Sequence, residues 1–171
     1  MDTETLNAKS PSLLCTMTAM PTFPQAGCLA YLESIRATGT EPTDTSLPPW
    51  LARALPRAST NTPEIVQCLI QLLSAKKGVW QAALDTGRIA DELRRYQKFA
   101  KPGQPSAHIV QLRQRQAAVR QASSIAKQSF IKAAAAFVRE ANVDVPQRLA
   151  LEAFVIRWID DVVPTSLIPG A

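Results

Sequence analysis

The chain has 171 residues, 46% of them apolar, and its 19 Lys and Arg against 14 Asp and Glu leave a formal net charge of +5. That apolar fraction suffices for a core, which excludes a chain disordered throughout, and the longest apolar run, Ala133 to Val138, is far short of the ~20 residues a membrane span needs. The three cysteines, Cys15, Cys28 and Cys68, are widely spaced and form no C-x-x-C pair, so they point to buried thiols in a reducing compartment and not to a disulfide framework or a zinc site.

Eight of the 13 prolines fall within the first 63 residues, among many Thr and Ser, which predicts a loosely organised N-terminal region. Residues 1–24 lack a periodic apolar face and are expected to be a flexible arm. Asp2 and Glu4 precede only a short apolar stretch at Leu13 to Cys15, so no signal peptide is expected and the location expected is cytoplasmic or otherwise intracellular. Short helices and a Pro-rich linker should occupy residues 25–61. Gln25 to Thr38 can form a helix burying Leu29, Leu32 and Ile35, with Gly39 as its stop, and Pro48-Pro49-Trp50-Leu51 opens a second helix ending near Pro56.

A helical bundle is expected over residues 62–163. Thr62-Pro63-Glu64 combines an N-cap hydroxyl, a first-turn proline and an acid at the positive end of the dipole. Val66, Leu69, Ile70 and Leu73 follow at helical spacing, widened by Ile65 and Leu72, and Lys76-Lys77-Gly78 has the form of a basic last turn with a left-handed stop. A further helix runs from Val79 to Phe99 through Gly87, and Lys101-Pro102-Gly103-Gln104-Pro105 breaks it.

Ser106 to Ala141, free of Gly and Pro, predicts the longest helix, with Leu112, Val119, Ala126, Phe130, Ala133, Phe137 and Ala141 on one face. Asp144 with Gln147 resembles a capping box and Pro146 suits a first turn, which predicts a last helix carrying Leu151, Phe154, Val155, Trp158, Ile159 and Val162 on one stripe. Pro164 ends it, leaving a tail over 164–171. The expected class is all-α: an irregular helical bundle with one long basic helix and a Pro/Thr-rich N-terminal region.

Charge is segregated along this chain. From Leu93 to Arg139 there is no acid, while Arg94, Arg95, Lys98, Lys101, Arg113, Arg115, Arg120, Lys127, Lys132 and Arg139 are basic; the rest of the chain has fewer cations than acids. Such a block builds a field that a mixed surface would cancel, and it calls for a polyanionic or acidic partner. Within it Leu112-Arg113-Gln114, Val119-Arg120-Gln121 and Ala126-Lys127-Gln128 recur at a seven-residue step. Seven residues return to nearly the same helix azimuth, so Arg113, Arg120 and Lys127 form a ridge suited to phosphates. The alternative is a solvated bundle face, the default for charged helix residues.

Arg94, Arg95, Lys98 and Lys101 interleave with Tyr96 and Phe99. Aromatics beside cations can stack on unpaired bases, although both rings are more readily placed in a core. Ala83, Gly87 and Leu93 match a helix-turn-helix only thinly, since Arg88 stands where an apolar residue is commoner; an ordinary helix with a tolerated glycine is preferred. The three tryptophans, Trp50, Trp80 and Trp158, are expected as core or interface anchors, Trp158 within a core stripe and Trp50 fastening the N-terminal region to the body or to another subunit.

Enzyme signals are poor. His108 is the only histidine, Asp91-Glu92 and Asp160-Asp161 are adjacent pairs that point ~100° apart on a helix, and no P-loop, dinucleotide fingerprint or nucleophile elbow is present. No catalytic residue, metal or cofactor is therefore expected. The expectation is a non-enzymatic nucleic-acid-binding protein, RNA or DNA, with backbone contacts from Arg94, Arg95, Lys98, Lys101, Arg113, Arg115, Arg120 and Lys127. A homo-oligomeric coat or nucleoprotein subunit, or an accessory regulator, is compatible with it. The competing expectation is an assembly module docking an acidic protein surface, with Ala122, Ser129 and Ala136 permitting close helix approach. An interfacial membrane helix ranks third, since the Ala-rich stripe lacks Trp.

Overall fold

The structure is a computed structural model that describes residues 21–38, 48–55, 62–99 and 106–165. The expected arm up to residue 20, the linker over 39–47 and 56–61, the break at 101–105 and the tail from 166 lie outside them. Among the described residues there are five helices and no strand: α1 (Ala26–Thr38), α2 (Pro49–Ala54), α3 (Thr62–Gln97), α4 (Ala107–Glu140) and α5 (Leu151–Val162). The fold is all-α, as the helical periodicity predicts.

The stop expected at Gly78 does not exist. α3 runs through both Gly78 and Gly87 as one helix of 36 residues, about 54 Å long. The reason lies in the side chains on either side. Leu69 and Leu72 are fully buried and Val79 packs on the same core, and α3 stays against α4, so continuing the helix keeps contact that turning would lose. Lys76 does not cap a helix end but reaches Asp160 of α5, its Nζ 2.6 Å from Oδ1. Gly78 is exposed and a methyl there would meet nothing within 4 Å, so its cost is only the ~1 kcal/mol of a glycine in a helix interior.

α4 begins where its cap dictates. The Ser106 hydroxyl accepts the Ile109 N–H at 3.4 Å, and the helix then holds for 34 residues. Asn142 ends it in the left-handed region at φ 48. Val143 N–H donates to the Val138 carbonyl at 3.1 Å and Asn142 N–H to that of Arg139 at 3.4 Å, the bond pattern of a Schellman motif, with Val138 and Val143 both packed on the core. This turn sends the chain back over the helix pair.

The capping box at Asp144 also fails to form. Pro146 to Ala150 are all exposed, and Leu149 N–H closes a turn on the Pro146 carbonyl; the helix starts only at Leu151, with Ala150 at its N-cap position. Those residues have no apolar side chain directed at the core, so a helix there would order backbone without burying anything. From Leu151 the expected stripe faces the core: Val155 and Ile159 are buried, Leu151, Phe154 and Val162 are half-buried, and so is Trp158, its ring 4.8 Å from that of Phe137; Val163, outside the expected stripe, is buried too.

α3 and α4 pack along their length as an antiparallel hairpin, and the remaining helices cover only one end of it. The main core joins Cys28, Leu29 and Leu32 of α1, Trp50 and Leu51 of α2, Ile65 to Leu73 of α3, Phe130 to Ala141 at the end of α4, and Val155 and Ile159 of α5. Each such side chain contributes about 1.5–3 kcal/mol on burial. Chain entry is fastened to this base: Phe23 is buried with its ring edge-on to Trp80 at 6.0 Å, and the buried Gln25 donates to Asp160 at 3.4 Å. Trp50 anchors α2, edge-on to Tyr31 at 6.3 Å.

Beyond this base the hairpin continues as a two-helix arm. From residue 83 to 92 on α3 and 113 to 129 on α4 no residue is fully buried, and Ala82, Thr86, Val119, Ser123 and Ala126 line the seam. A separate small cluster of Leu93, Ile109 and Leu112 closes its distal end.

Candidate nucleic-acid interface

The hairpin distributes the sequence-predicted cations over the arm. Arg94, Arg95 and Lys98 stand at the distal end of α3 and Arg113, Arg115, Arg120 and Lys127 along α4, all exposed; Lys101 lies outside the described residues. Arg113, Arg120 and Lys127 follow one another at about 10.5 Å along the axis, a ridge about 21 Å long. Arg113 directly follows the buried Leu112, so the ridge reaches to within a turn of the distal cluster. Arg115 is not part of it. Two residues on from Arg113 it projects about 160° away around the helix, on the opposite flank.

Ion pairing separates these cations further. Arg94 is held by Asp91 at 2.9 Å, and outside the predicted set Arg139 is held by Glu140 at 3.2 Å. Arg95, Lys98, Arg113, Arg115, Arg120 and Lys127 have no acidic partner among the described residues. A cation that is not neutralised locally keeps its charge available to a mobile anion, with a reach of about 8 Å at physiological ionic strength.

The aromatics contradict their core placement. Phe99 is 87% exposed and Tyr96 47% exposed; α3 ends at Gln97, and among the described residues the distal cluster is made by Leu93, Ile109 and Leu112. Tyr96 rests edge-on against His108, ring centres 4.3 Å apart, and His108 Nε2 lies 3.8 Å from Glu92 Oε1. Arg88, Asp91, Glu92, Arg95, Tyr96 and Phe99 together line an open concavity of about 610 Å³. Arg88 lies outside the acid-free block and so is absent from the sequence-predicted cations; its spacing of seven residues from Arg95 puts the two on one face of α3.

Other chemistry is weakly provided for. Gly87 lies inside continuous helix, so the helix-turn-helix spacing has no turn behind it. Burial pushes the Cys28 thiol up to about 11 and it donates to the Pro164 carbonyl at 3.2 Å; Cys68 is also raised, by burial and then by Glu140. A raised thiol is a poor nucleophile at neutral pH. Among the described residues no three His, Cys, Asp or Glu converge as a metal site, and no helix is long and apolar enough to cross a membrane.

A second surface lies beside the base. Glu33 and Arg36 of α1, Ser74 of α3 and Ser129, Lys132 and Ala136 of α4 border an open groove of about 550 Å³. Ser129 and Ala136 belong to the small-residue row noted in the sequence, and Ala122 continues that row outward, exposed. Comparison with protein-family models, with curated proteins and with solved structures finds no match for this chain.

Proposed function

We propose that this protein binds nucleic acid non-enzymatically, through phosphate-backbone contacts made by the cations of the projecting hairpin. The observation that carries the proposal is the ridge of Arg113, Arg120 and Lys127 on the long helix α4, exposed and without acidic partners among the described residues. Its 21 Å matches the axial length of about six nucleotides of one duplex strand at 3.4 Å each. Arg95 and Lys98 extend the charge to the distal end. Backbone contacts of this kind position a protein on its partner without selecting sequence.

A homo-oligomeric coat or nucleoprotein subunit, in which bases pack together and arms face the polymer, suits this division of the molecule. A second reading, docking onto an acidic protein surface as an assembly module, is favoured by the groove beside α1 and by Ile125 and Ile131, which lie exposed on α4. The test that separates them is direct. Purified protein should carry nucleic acid released by high salt, seen in its absorbance ratio, and should shift the anisotropy of labelled duplex and single-stranded oligonucleotides with a steep salt dependence. Absence of binding at low salt rejects the first reading.

A further inference from the structure

The distal end of the arm presents a combination that the ridge does not: a large aromatic ring almost wholly in solvent, beside cations that have no ion-pair partner among the described residues. Phe99 is 87% exposed, Arg95 precedes it by one helical turn, and Lys98 is its neighbour. Tyr96 is already engaged by the His108 ring edge and turns only part of its surface outward. Of the two acids that line the concavity, Asp91 pairs with Arg94 at 2.9 Å, and Glu92 Oε1 lies 3.8 Å from His108 Nε2, on the side of the helix turned towards α4. The outer rim of the concavity thus carries an aromatic face bordered by Arg95 and Lys98, neither of which has an ion-pair partner among the described residues.

Resting on the reading above, we propose that this end is a stacking platform for an unpaired base of single-stranded nucleic acid. Phe99 supplies the face, and Arg95 and Lys98 hold the flanking phosphates. The charge selects the occupant: a purely apolar partner would leave Arg95 and Lys98 desolvated without compensation, whereas a nucleotide offers a π-face and an anion a few ångströms apart. A base within a duplex has both faces covered by its neighbours, so the platform acts on single strands and leaves duplex binding to the ridge.

The two contributions separate in their response to salt. Phosphate contacts set the slope of log affinity against log salt, while stacking contributes a factor nearly independent of salt. The experiment compares full-length parent, Phe99→Ala and Phe99→Trp by anisotropy on a short labelled oligothymidine strand and on a duplex of equal length. Phe99→Ala removes an exposed ring, so the fold is retained, as far-UV circular dichroism verifies. Its affinity for the single strand should fall about 5- to 100-fold with the salt slope unchanged, while duplex affinity stays within about twofold. Phe99→Trp should keep the parent affinity, and its fluorescence should be quenched on binding. Unchanged single-strand affinity in Phe99→Ala, with the parent still binding, overturns the platform and leaves the ridge standing. An equal loss on duplex and single strand overturns it too. No binding by the parent at low salt rejects the underlying reading itself.

Discussion

Gly78 offers a sign test of the hairpin. If α3 is continuous there, Gly78→Ala replaces the most flexible residue with the best helix former at a site where the added methyl touches nothing within 4 Å. The gain should be about 0.8–1 kcal/mol, chiefly from the lower conformational entropy of the unfolded chain. Gly87 is also exposed and open, and it lies nine residues away, about 13.5 Å along the axis, so the two changes should add to roughly 1.6–2 kcal/mol. In urea, with a slope of about 1–3 kcal/mol/M, the single change moves the midpoint up by about 0.3–1 M; in heat it adds about 2–4 °C for a chain of this size. Circular dichroism at 222 nm follows both. Hydrogen exchange should also slow at amides around Gly87, because the arm opens locally before the base does. A loss of 1 kcal/mol or more at Gly78→Ala would refute the reasoning, since only a left-handed glycine, the stop that Lys76-Lys77-Gly78 resembles, penalises a side chain in that way.

Changing Arg113, Arg120 and Lys127 together to Gln should reduce the salt slope of nucleic-acid binding by about two to three units, at ~0.9 per phosphate on a duplex and ~0.7 on a single strand, with circular dichroism unchanged. A folded triple variant with the parent's slope would make the ridge a solvated face. Phe137→Ala, which empties a fully buried site in contact with Trp158, should cost about 3–5 kcal/mol in urea unfolding, and a change under ~0.5 kcal/mol would deny the base its core. The Cys28 thiol, raised from an ordinary value near 9 to about 11, stays protonated in the folded state after the unfolded chain has ionised. Its stabilising contribution is complete below pH 9 and lost as pH rises towards 11, so Cys28→Ala should flatten the stability profile in that window; an identical profile in the variant assigns the decline to other groups.

Much of the fold was legible because periodicity and caps agree wherever burial is strong. Leu112, Phe130, Phe137 and Ala141 fall on the predicted face of α4 and are buried, and the α5 stripe of Val155 and Ile159 does the same. The failures occur where a local signal meets a stronger tertiary one. Lys76-Lys77-Gly78 has the chemistry of a helix end, yet Lys76 pairs across to Asp160 and the seam with α4 carries the helix onward. Asp144 to Gln147 has the letters of a capping box, yet Leu149, the apolar residue that follows, is exposed, so an extra turn of helix would bury little. Tyr96 and Phe99 had every compositional reason to be inside; only the geometry of a two-helix end, with room for Leu93, Ile109 and Leu112, puts them out. The cations were readable as a block, but their partners were not. That Arg94 is paired with Asp91, while Arg95 and Lys98 have no acidic partner among the described residues, depends on side-chain geometry that a linear count cannot supply.

The composition of the arm bears on why charge and shape coincide. A seam of Ala82, Thr86, Val119, Ser123 and Ala126, of which only Ala82 is fully buried, buries little apolar surface per turn, so the distal half of the hairpin draws its order from the base at one end and the Leu93 cluster at the other. Such a seam also permits close helix approach, which makes the arm slender and leaves most of each helix surface to solvent. Like charges on so exposed a structure repel one another only weakly, since neighbours on the ridge are about 10.5 Å apart and the screening length at physiological salt is about 8 Å. At low salt the screening length rises to about 30 Å, and the unneutralised cations then act on each other as well as on any polyanion. The arm should therefore be least stable at the low salt where the proposed binding would be strongest, and a phosphate chain bound there as proposed should restore its order by neutralising the ridge. Hydrogen exchange in the arm, slowed by an oligonucleotide at low salt and unaffected by it in the Arg113, Arg120 and Lys127 triple Gln variant, is the expected pattern; equal protection in both proteins would place the bound strand elsewhere.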